Sequence, residues 1–474
     1  MELQSTSVVT SARARDESPA PSHDARDLPS GALRPDDAGY PDAVAGFNLA
    51  VAHRPPVAVV ATSAEDVVSA VRYAAAQGLP VAVEATGHNR HRSFTEGVLV
   101  NTSAMDAVTI DPRARTATVG AGARWRAVMD AAGPHGLGGL CGSTSDVSVV
   151  GYTLGGGLPL LGRAFGFAAD RVLALDVVTA DGQLRTVSRT REPELFWALR
   201  GGGGSLGVVT SMTFELLELS HIVGGGIFYP GEHAATVLAA YARWTADLPA
   251  GMCTSLAFLR LPPLPDVPEP LRGRFVMHLR VACPGPAAEV DAFLAPMRSC
   301  APAVIDMVGE LPYAQLDSIH QDPEHPIPFM EQGRLVEELT PEVQQALLDR
   351  VGPDSGSALL LVELRQLGGA LVTPAHSGDD NAIGARDAAF HLMSVGVLMA
   401  PQSAVPADLD ALHAALAPHT SGRTFLNLHG APGDEQDCAR AWTPAQYARL
   451  RAAKLRFDPA NVFRPEHGVL PAAS

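Results

Sequence analysis

The sequence predicts an α+β fold in two domains, and three observations support this. A chain of 474 residues exceeds what one hydrophobic core usually organises, so two or three domains are expected. The first half alternates short apolar strands with amphipathic helices around two glycine-rich stretches. From about Ile222 the pattern changes and favours a separate α+β domain, an antiparallel sheet covered by helices on one side.

The elements of the first half follow from local patterns. A strand over 57–60 leads into a helix that begins near Ser63, places Val67 and Val71 on one face and stops at Gly78. The other strands predicted here span 79–85, 98–101, 107–120 with a fold at Asp111-Pro112, 175–179, 183–187 and 208–215. The other helices span 125–132 and 192–200.

The second half and the C-terminus carry longer elements. Strands are predicted over 274–281, 358–365 and 388–397, and helices over 233–246, 287–297 and 341–350. A last helix over 443–456 is followed by a terminal segment, 457–463, that we expect to clamp the chain end.

Charge and composition exclude several kinds of partner. A net charge of −16 argues against nucleic acid or an anionic membrane surface. No apolar run is long enough to cross a bilayer, and the first ten residues lack the pattern of a secretory signal. Residues 1–38 are rich in Arg, Asp, Pro and Ser over most of their length, which predicts a flexible tail.

The five cysteines are scattered, with no CxxC pair, which predicts reduced thiols in a cytoplasmic protein. His88 and His91 lack nearby carboxylates or thiols at ligand spacing, so no metal site is expected.

Two glycine-containing segments indicate a site for a large anionic cofactor. Thr86-Gly87-His88-Asn89 ends an apolar strand, and a second segment spans 142–157. Glycine lets backbone N–H groups approach a phosphate or a ring, and histidine offers a nucleophilic nitrogen near neutral pH. The two segments therefore predict a cradle with one reactive attachment point.

A third glycine run does not support a Rossmann fold. Gly202, Gly204 and Gly207 satisfy G-x-G-x-x-G, but the Rossmann version requires a strand before the motif and a helix after it. Here a predicted helix precedes the run and the strand over 208–215 follows, so we reject that interpretation.

In their order and spacing these segments resemble the berberine-bridge-enzyme-like FAD-linked oxidases of the vanillyl-alcohol-oxidase and p-cresol-methylhydroxylase (PCMH) superfamily. The matching motifs are 86–88, 151–157, 179–182, 195–204, 367–370, 425–427 and 457–463. The resemblance covers nearly the whole chain after Gly39. It implies a PCMH-type FAD-binding domain over 39–220, a substrate domain over 221–420, and a C-terminal segment, 421–474, that returns to the FAD domain.

The resemblance also implies how FAD is held. His88 matches the histidine that bonds to the flavin 8α-methyl group. Thr144 stands where many relatives have a cysteine linked to the flavin 6-position, and Cys141 lies three residues earlier. We expect Cys141 to be a buried or surface thiol and His88 to make the single covalent bond. The implied cofactor-binding residues are Thr86, Gly87, His88, Asn89, Ser143, Thr144, Val147, Gly151, Tyr152, Gly155, Gly156, Gly207, Val208 and Asn427.

The resemblance does not identify a catalytic base. Many relatives use a tyrosine in that role, but Phe425 stands at the matching position here, and phenylalanine cannot accept a proton. Strand alternation offers Glu363 and Arg365 on one face of one strand, and His391 on a second strand, as catalytic candidates. The alternative is a surface salt bridge and a core histidine, since sequence does not fix which face points inward.

The resemblance implies an oxidase that transfers electrons from a small-molecule substrate to FAD and then to O2. By analogy it would be a cytoplasmic tailoring enzyme of secondary metabolism, such as antibiotic biosynthesis, and a monomer or homodimer. Two alternatives stay open. One is a flavin-containing non-redox cyclase of the same fold, which Phe425 favours somewhat. The other is a resistance protein that sequesters a small molecule.

Overall fold

Two main sheets and one two-stranded pair form the first half of the chain in the computed structural model, which describes residues 28–376, 378–399, 403–431 and 433–471. The strands are β1 (Ala32–Leu33), β2 (Val57–Val60), β3 (Val81–Glu84), β4 (Val98–Asn101), β5 (Val108–Asp111), β6 (Thr116–Gly120), β7 (Leu137–Gly138), β8 (Val172–Val178), β9 (Leu184–Ser188), β10 (Val208–Glu215) and β11 (Leu217–Glu218). The helices are α1 (Tyr40–Ala43), α2 (Ala64–Gln77), α3 (Trp125–Ala132), α4 (Val149–Leu154), α5 (Gly162–Phe165) and α6 (Pro193–Leu199).

The first sheet has the order β1-β2-β4-β3, with β2, β4 and β3 parallel. Helix α2 crosses from β2 to β3, two parallel strands that lie on either side of β4. A capping box between Ser63 and Asp66 starts this helix, and Gly78 ends it in the left-handed conformation. The second sheet is antiparallel, in the order β5-β6-β10-β8-β9.

The predicted N-terminal tail is only partly described. Residues 1–27 lie outside the described residues. Ala32–Leu33, which we also assigned to the tail, form β1 and pair with β2 at the edge of the first sheet.

An eight-stranded sheet dominates the second half. Its strands are β12 (His221–Pro230), β13 (Cys253–Arg260), β14 (Phe275–Cys283), β15 (Ile305–Asp306), β16 (Gly309–Pro312), β17 (Phe329–Val336), β18 (Leu361–Gln366) and β19 (Phe390–Val397). The helices are α7 (Ala234–Trp244), α8 (Ala287–Cys300), α9 (Pro341–Val351) and α10 (Val405–Leu416). The strand order is β15-β12-β14-β13-β18-β19-β17, β16 also pairs with β12, and every pairing is antiparallel.

The two faces of this sheet differ. Val362, Leu364 and Leu392 belong to the hydrophobic core that the sheet shares with residues of α7 to α10. Alternate residues of the same strands, such as Glu363 and His391, point to the opposite face, toward the first half of the chain. In the part of the chain that the structure describes, no helix combines the length and the apolarity that a membrane crossing demands.

The C-terminal segment returns to the first sheet. After α11 (Glu435–Ala439) and α12 (Pro444–Phe457), Val462 and Phe463 enter the core around β2, β3 and β4. Val81 N–H donates to the Val462 carbonyl over 2.7 Å, and Arg464 N–H donates to the Val81 carbonyl over 3.0 Å. The chain end is therefore fastened beside the strand that leads to His88.

Candidate active site

A cavity of about 1060 Å³ lies between the glycine segments of the first half and the polar face of the eight-stranded sheet. Pockets for a single small molecule usually measure about 300–1,000 Å³. This cavity therefore has the size to hold a large cofactor together with a small substrate.

His88 lies in the cavity wall on a turn that requires glycine before it. Gly87 has a φ angle of +71°, and a Cβ there would come within 2.8 Å of the Gly46 Cα. The His88 ring stacks on Phe47 with centroids 4.0 Å apart, and its Nδ1 lies 2.9 Å from the Thr86 Oγ1. Burial lowers the pKa of His88 to about 4. The imidazole is therefore neutral at pH 7 and keeps a nitrogen lone pair.

Unpartnered backbone donors face the same space. Among the described residues, no protein acceptor is found for the N–H groups of Gly87, His88 and Asn89, or for those of Ser143 and Thr144. Successive free N–H groups in a turn form an anion-binding concavity. The two segments thus fit a cofactor that carries phosphates and ring oxygens.

Asn427 closes the end of helix α4. Its Nδ2 donates to the Tyr152 carbonyl over 2.6 Å, and a Cβ at Gly155 would overlap its Oδ1. The Tyr152 ring packs edge-on against Trp125, and within the described chain its buried hydroxyl has no hydrogen-bond partner. This part of the wall therefore holds one orphaned donor beside the glycine backbone.

Of the predicted cofactor residues, Gly156 alone does not line the cavity, because it faces away from it and packs against Ile383. Cys141 does not line it either. Its buried Sγ donates to the Thr144 carbonyl over 3.4 Å, and burial holds the pKa of the thiol well above its usual value. Cys141 is thus a buried protonated thiol, one of the two states the sequence allowed.

The opposite wall carries a cluster of charges around Glu363. This carboxylate accepts hydrogen bonds from Ser255 Oγ (2.6 Å), Arg280 Nη1 (2.9 Å), Arg365 Nη2 (3.0 Å) and His320 Nε2 (3.0 Å). Burial raises the pKa of Glu363, but Arg365, His320 and Arg280 outweigh it and hold that pKa well below the usual range. Glu363 is therefore ionised and fully engaged.

His391 lies opposite Arg365 in the pairing of β18 with β19. Burial lowers the pKa of His391 to about 3, so its ring is neutral. The structure therefore brings Glu363, Arg365 and His391 together on one cavity wall. Phe425 is buried behind this wall, 5.4 Å from the Phe167 ring, and does not line the cavity.

Sequence reasoning missed several polar residues of this wall. His278 and Arg280 alternate on a strand that we predicted over 274–281, so the same alternation argument would have found them. His320 lies in a loop after β16, where no periodic signal exists. Phe47, which stacks on His88, is likewise outside any helix or strand.

Two protein families match the chain. Residues 55–188 match the FAD binding domain family, and residues 435–470 match the family described as berberine and berberine like. The first match contains His88 and the 142–157 segment, and the second contains the C-terminal segment that returns to the first sheet.

Full-length relatives agree with these matches. The chain is 27% identical over 454 residues to the uncharacterized FAD-linked oxidoreductase YgaK of Bacillus subtilis, covering 92% of this chain and 96% of the relative. It is 27% identical over 475 residues to (R)-6-hydroxynicotine oxidase of Paenarthrobacter nicotinovorans, covering 93% and 97%. Glucooligosaccharide oxidase from Acremonium strictum shares the fold with a TM-score of 0.80 at 20% identity, covering 94% and 97%. The chain is an enzyme that belongs to the berberine-bridge-enzyme-like FAD-linked oxidoreductases.

Proposed function

We propose that the protein is an oxidase that carries FAD on one covalent bond, at His88, and oxidises a small molecule with O2 as electron acceptor. One observation carries this proposal: a single cavity joins the His88 turn and its free backbone donors to a charged wall suited to a polar substrate. Two of the relatives, which act on 6-hydroxynicotine and glucooligosaccharides by name, are oxidases, and this supports the choice.

FAD, when bound, would accept two electrons from the substrate and pass them to O2, giving hydrogen peroxide. The protein's part is to hold and orient it. The backbone donors of 87–89 and 143–144 would bind its phosphate and ring oxygens, with Val147, Gly151 and Tyr152 along the ring edge. Gly207 and Val208 would lie by the adenine.

The attachment at His88 rests on its neutral, stacked ring, since a free nitrogen lone pair is what a bond to the 8α carbon requires. The Acremonium strictum enzyme carries a 6-S-cysteinyl, 8α-N1-histidyl FAD. Here Thr144 replaces the cysteine, and Cys141 is buried outside the cavity. We therefore propose one bond and a flavin of lower redox potential than in doubly linked relatives.

On the substrate side, we propose separate roles for the three charged or titratable residues. The Arg365 side chain is 15% exposed and reaches the cavity, where it would hydrogen-bond the substrate. His391 would face the substrate beside it. Glu363 already accepts four hydrogen bonds from protein donors, so it would hold Arg365 and its neighbours in place.

Anaerobic bleaching of the flavin tests the oxidase proposal. Purified holoprotein is mixed with a panel of alcohols, sugars, amines and aromatic natural products without O2. We expect one class of compound to bleach the yellow colour, and we expect air to restore it with release of one hydrogen peroxide per cycle. Turnover without bleaching would identify the cyclase, and saturable binding without turnover would identify the sequestering protein.

A further inference from the structure

Three buried histidines line the cavity around Glu363, Arg280 and Arg365, and each has a ring nitrogen without a partner among the described residues. These nitrogens are Nε2 of His278, Nδ1 of His320 and Nε2 of His391. Burial lowers the pKa of all three below its ordinary value, so the rings are neutral at pH 7. In a neutral imidazole one nitrogen donates and the other accepts, so the surroundings of each ring decide its chemistry.

His278 carries its ring proton on the nitrogen that has no partner among the described residues. Its Nδ1 accepts a hydrogen bond from Arg280 Nε over 3.2 Å, so the ring proton lies on Nε2. The ring is held by stacking on Phe228, with centroids 3.8 Å apart. His278 therefore has no lone pair left to receive a proton from a substrate.

His391 has no hydrogen bond that fixes its tautomer among the described residues. Its ring packs between Gly333, where a Cβ would lie 2.7 Å from Nε2, and Phe425, 5.8 Å between ring centroids. Packing of this kind holds the ring but leaves its proton unassigned.

His320 has the opposite arrangement to His278. Its Nε2 lies 3.0 Å from Glu363 Oε1 and 3.3 Å from Arg365 Nη2. An unprotonated Nε2 would set two lone pairs facing each other across the shorter distance, so Nε2 carries the proton and donates it to the carboxylate. Nδ1 then keeps its lone pair, with no protein partner in the described structure. A carboxylate that fixes the tautomer of a histidine base is a known catalytic arrangement.

We propose that His320 is the catalytic base and that Glu363 is its positioning residue. This inference rests on the proposed oxidase function. The substrate would be an alcohol, hemiacetal or amine, with an O–H or N–H next to the C–H bond that is broken.

The proton of the O–H or N–H goes to His320 Nδ1, and the electron pair of that bond forms the new C=O or C=N bond. FAD, when bound, would take up the hydrogen of the C–H bond together with its electron pair. The imidazolium that forms is stabilised by the ionised Glu363, 3.0 Å away.

The pH dependence follows from the groups packed around His320. Strand β14 contributes His278 and Arg280, β18 contributes Glu363 and Arg365, and β13 contributes the hydroxyl of Ser255. The base works only when neutral, so the rate should fall as pH drops through its pKa. Burial and the two arginines lower that pKa, which places the acidic limb below the ordinary histidine value.

Three variants test the assignment with the compound that bleaches the wild-type flavin. His320→Gln keeps a donor for Glu363 but has no basic nitrogen, and a general base contributes about 10²–10⁴-fold. We expect bleaching to slow by at least about 100-fold and the acidic limb to disappear. His320→Ala should recover part of its rate with added imidazole. His278→Gln is the control from the same cluster. It should keep the acidic limb of the pH–rate profile, and added imidazole should not raise its rate.

Nitrogen NMR of histidine-labelled holoprotein gives a readout that needs no turnover, with the His320 signals identified by their loss in His320→Gln. We expect a protonated Nε2 and an unprotonated Nδ1 at pH 7, and a mixture of tautomers in Glu363→Gln. A protonated Nδ1, or a His320→Gln rate within threefold of wild type, would overturn the base assignment alone. If no compound bleaches the wild-type protein, the oxidase proposal falls and takes this inference with it.

Discussion

Gly87 shows how a single residue shapes the site. Its left-handed φ angle turns the chain after β3, and its missing Cβ lets the Gly46 backbone pack against the turn. Both constraints hold the His88 ring on Phe47. The sequence predicted this turn because Gly-His after an apolar strand is a strong local pattern, whereas the Phe47 contact joins residues 41 positions apart and has no local signal.

Gly87→Ala should lower the unfolding free energy through backbone strain and through a collision with Gly46, and Gly78→Ala separates the two effects. Gly78→Ala has a similar φ angle of +66° with no atom within 4 Å, so it should lose only the left-handed strain of about 1–2 kcal/mol. Gly87→Ala should lose about 1–3 kcal/mol more through the backbone collision, and should also retain less flavin. Urea unfolding and the flavin-to-protein absorbance ratio measure both; equal losses in the two variants would contradict the proposed packing.

At the scale of elements, helix α12 fastens the chain end to the loop formed by the glycine run 201–204 and Ser205. The fully buried Lys454 donates from Nζ to Asp458 Oδ2 (2.6 Å), to the Ser205 carbonyl (2.8 Å) and to the Phe463 carbonyl (2.8 Å). Asp458 in turn accepts from the N–H groups of Val462 and Phe463. One ion pair therefore holds three segments, and its satisfied hydrogen bonds offset the cost of burying two charges.

Lys454→Met should leave Asp458 buried without its cation, at a cost of about 3–5 kcal/mol in unfolding free energy. Arg456→Met on the same helix is the control, because Arg456 is exposed and its 3.5 Å pair with Glu192 should contribute about 0–1 kcal/mol. Thermal unfolding of the two holoproteins compares them. Similar melting temperatures for both variants would show that the buried pair does not fasten the chain end.

Two of the strands that escaped prediction, β12 and β17, carry glycine inside the strand. Strand β12 contains three successive glycines, Gly224 to Gly226, and glycines weaken the sequence pattern by which a strand is predicted. The fold nevertheless needs glycine at Gly226, because a Cβ there would overlap the His278 ring. Strand β17 contains Gly333, where a Cβ would lie 2.7 Å from Nε2 of His391. Strands β14, β18 and β19 have side chains on both faces and were predicted within a few residues, so the polar residues of β18 and β19 could be placed on one wall.

For the whole molecule, several histidines are buried in neutral form. Burial lowers the pKa of His391 and His467 to about 3 and that of His88 and His413 to about 4. Unfolding would return the pKa of each histidine that carries no flavin to an ordinary value of about 6.5. Because the unfolded chain then binds more protons, stability is fully present above about pH 6.5 and falls as the pH drops toward the folded values.

Unfolding free energy should therefore fall steeply between pH 6.5 and pH 4, by up to about 1.4 kcal/mol per pH unit for each such histidine. His413 lies outside the cavity, with Nε2 2.7 Å from Ser394 Oγ, so His413→Gln tests one contribution without touching the site. Urea titrations at pH 7, 6 and 5 give the unfolding free energy at each pH. Its slope against pH should be shallower in that variant, by an amount that corresponds to up to one proton fewer taken up on unfolding. An unchanged slope would contradict burial of a neutral His413.

The central claim is that FAD is bonded to His88, and peptide mapping of acid-precipitated holoprotein tests it most directly. The pellet should stay yellow, and the tryptic peptide 73–90, which contains His88, should be heavier by one FAD. The His88→Ala variant should give a colourless pellet and a peptide without added mass. A colourless pellet with free FAD in the supernatant, or flavin on the peptide 127–163 that contains Cys141, would contradict the claim.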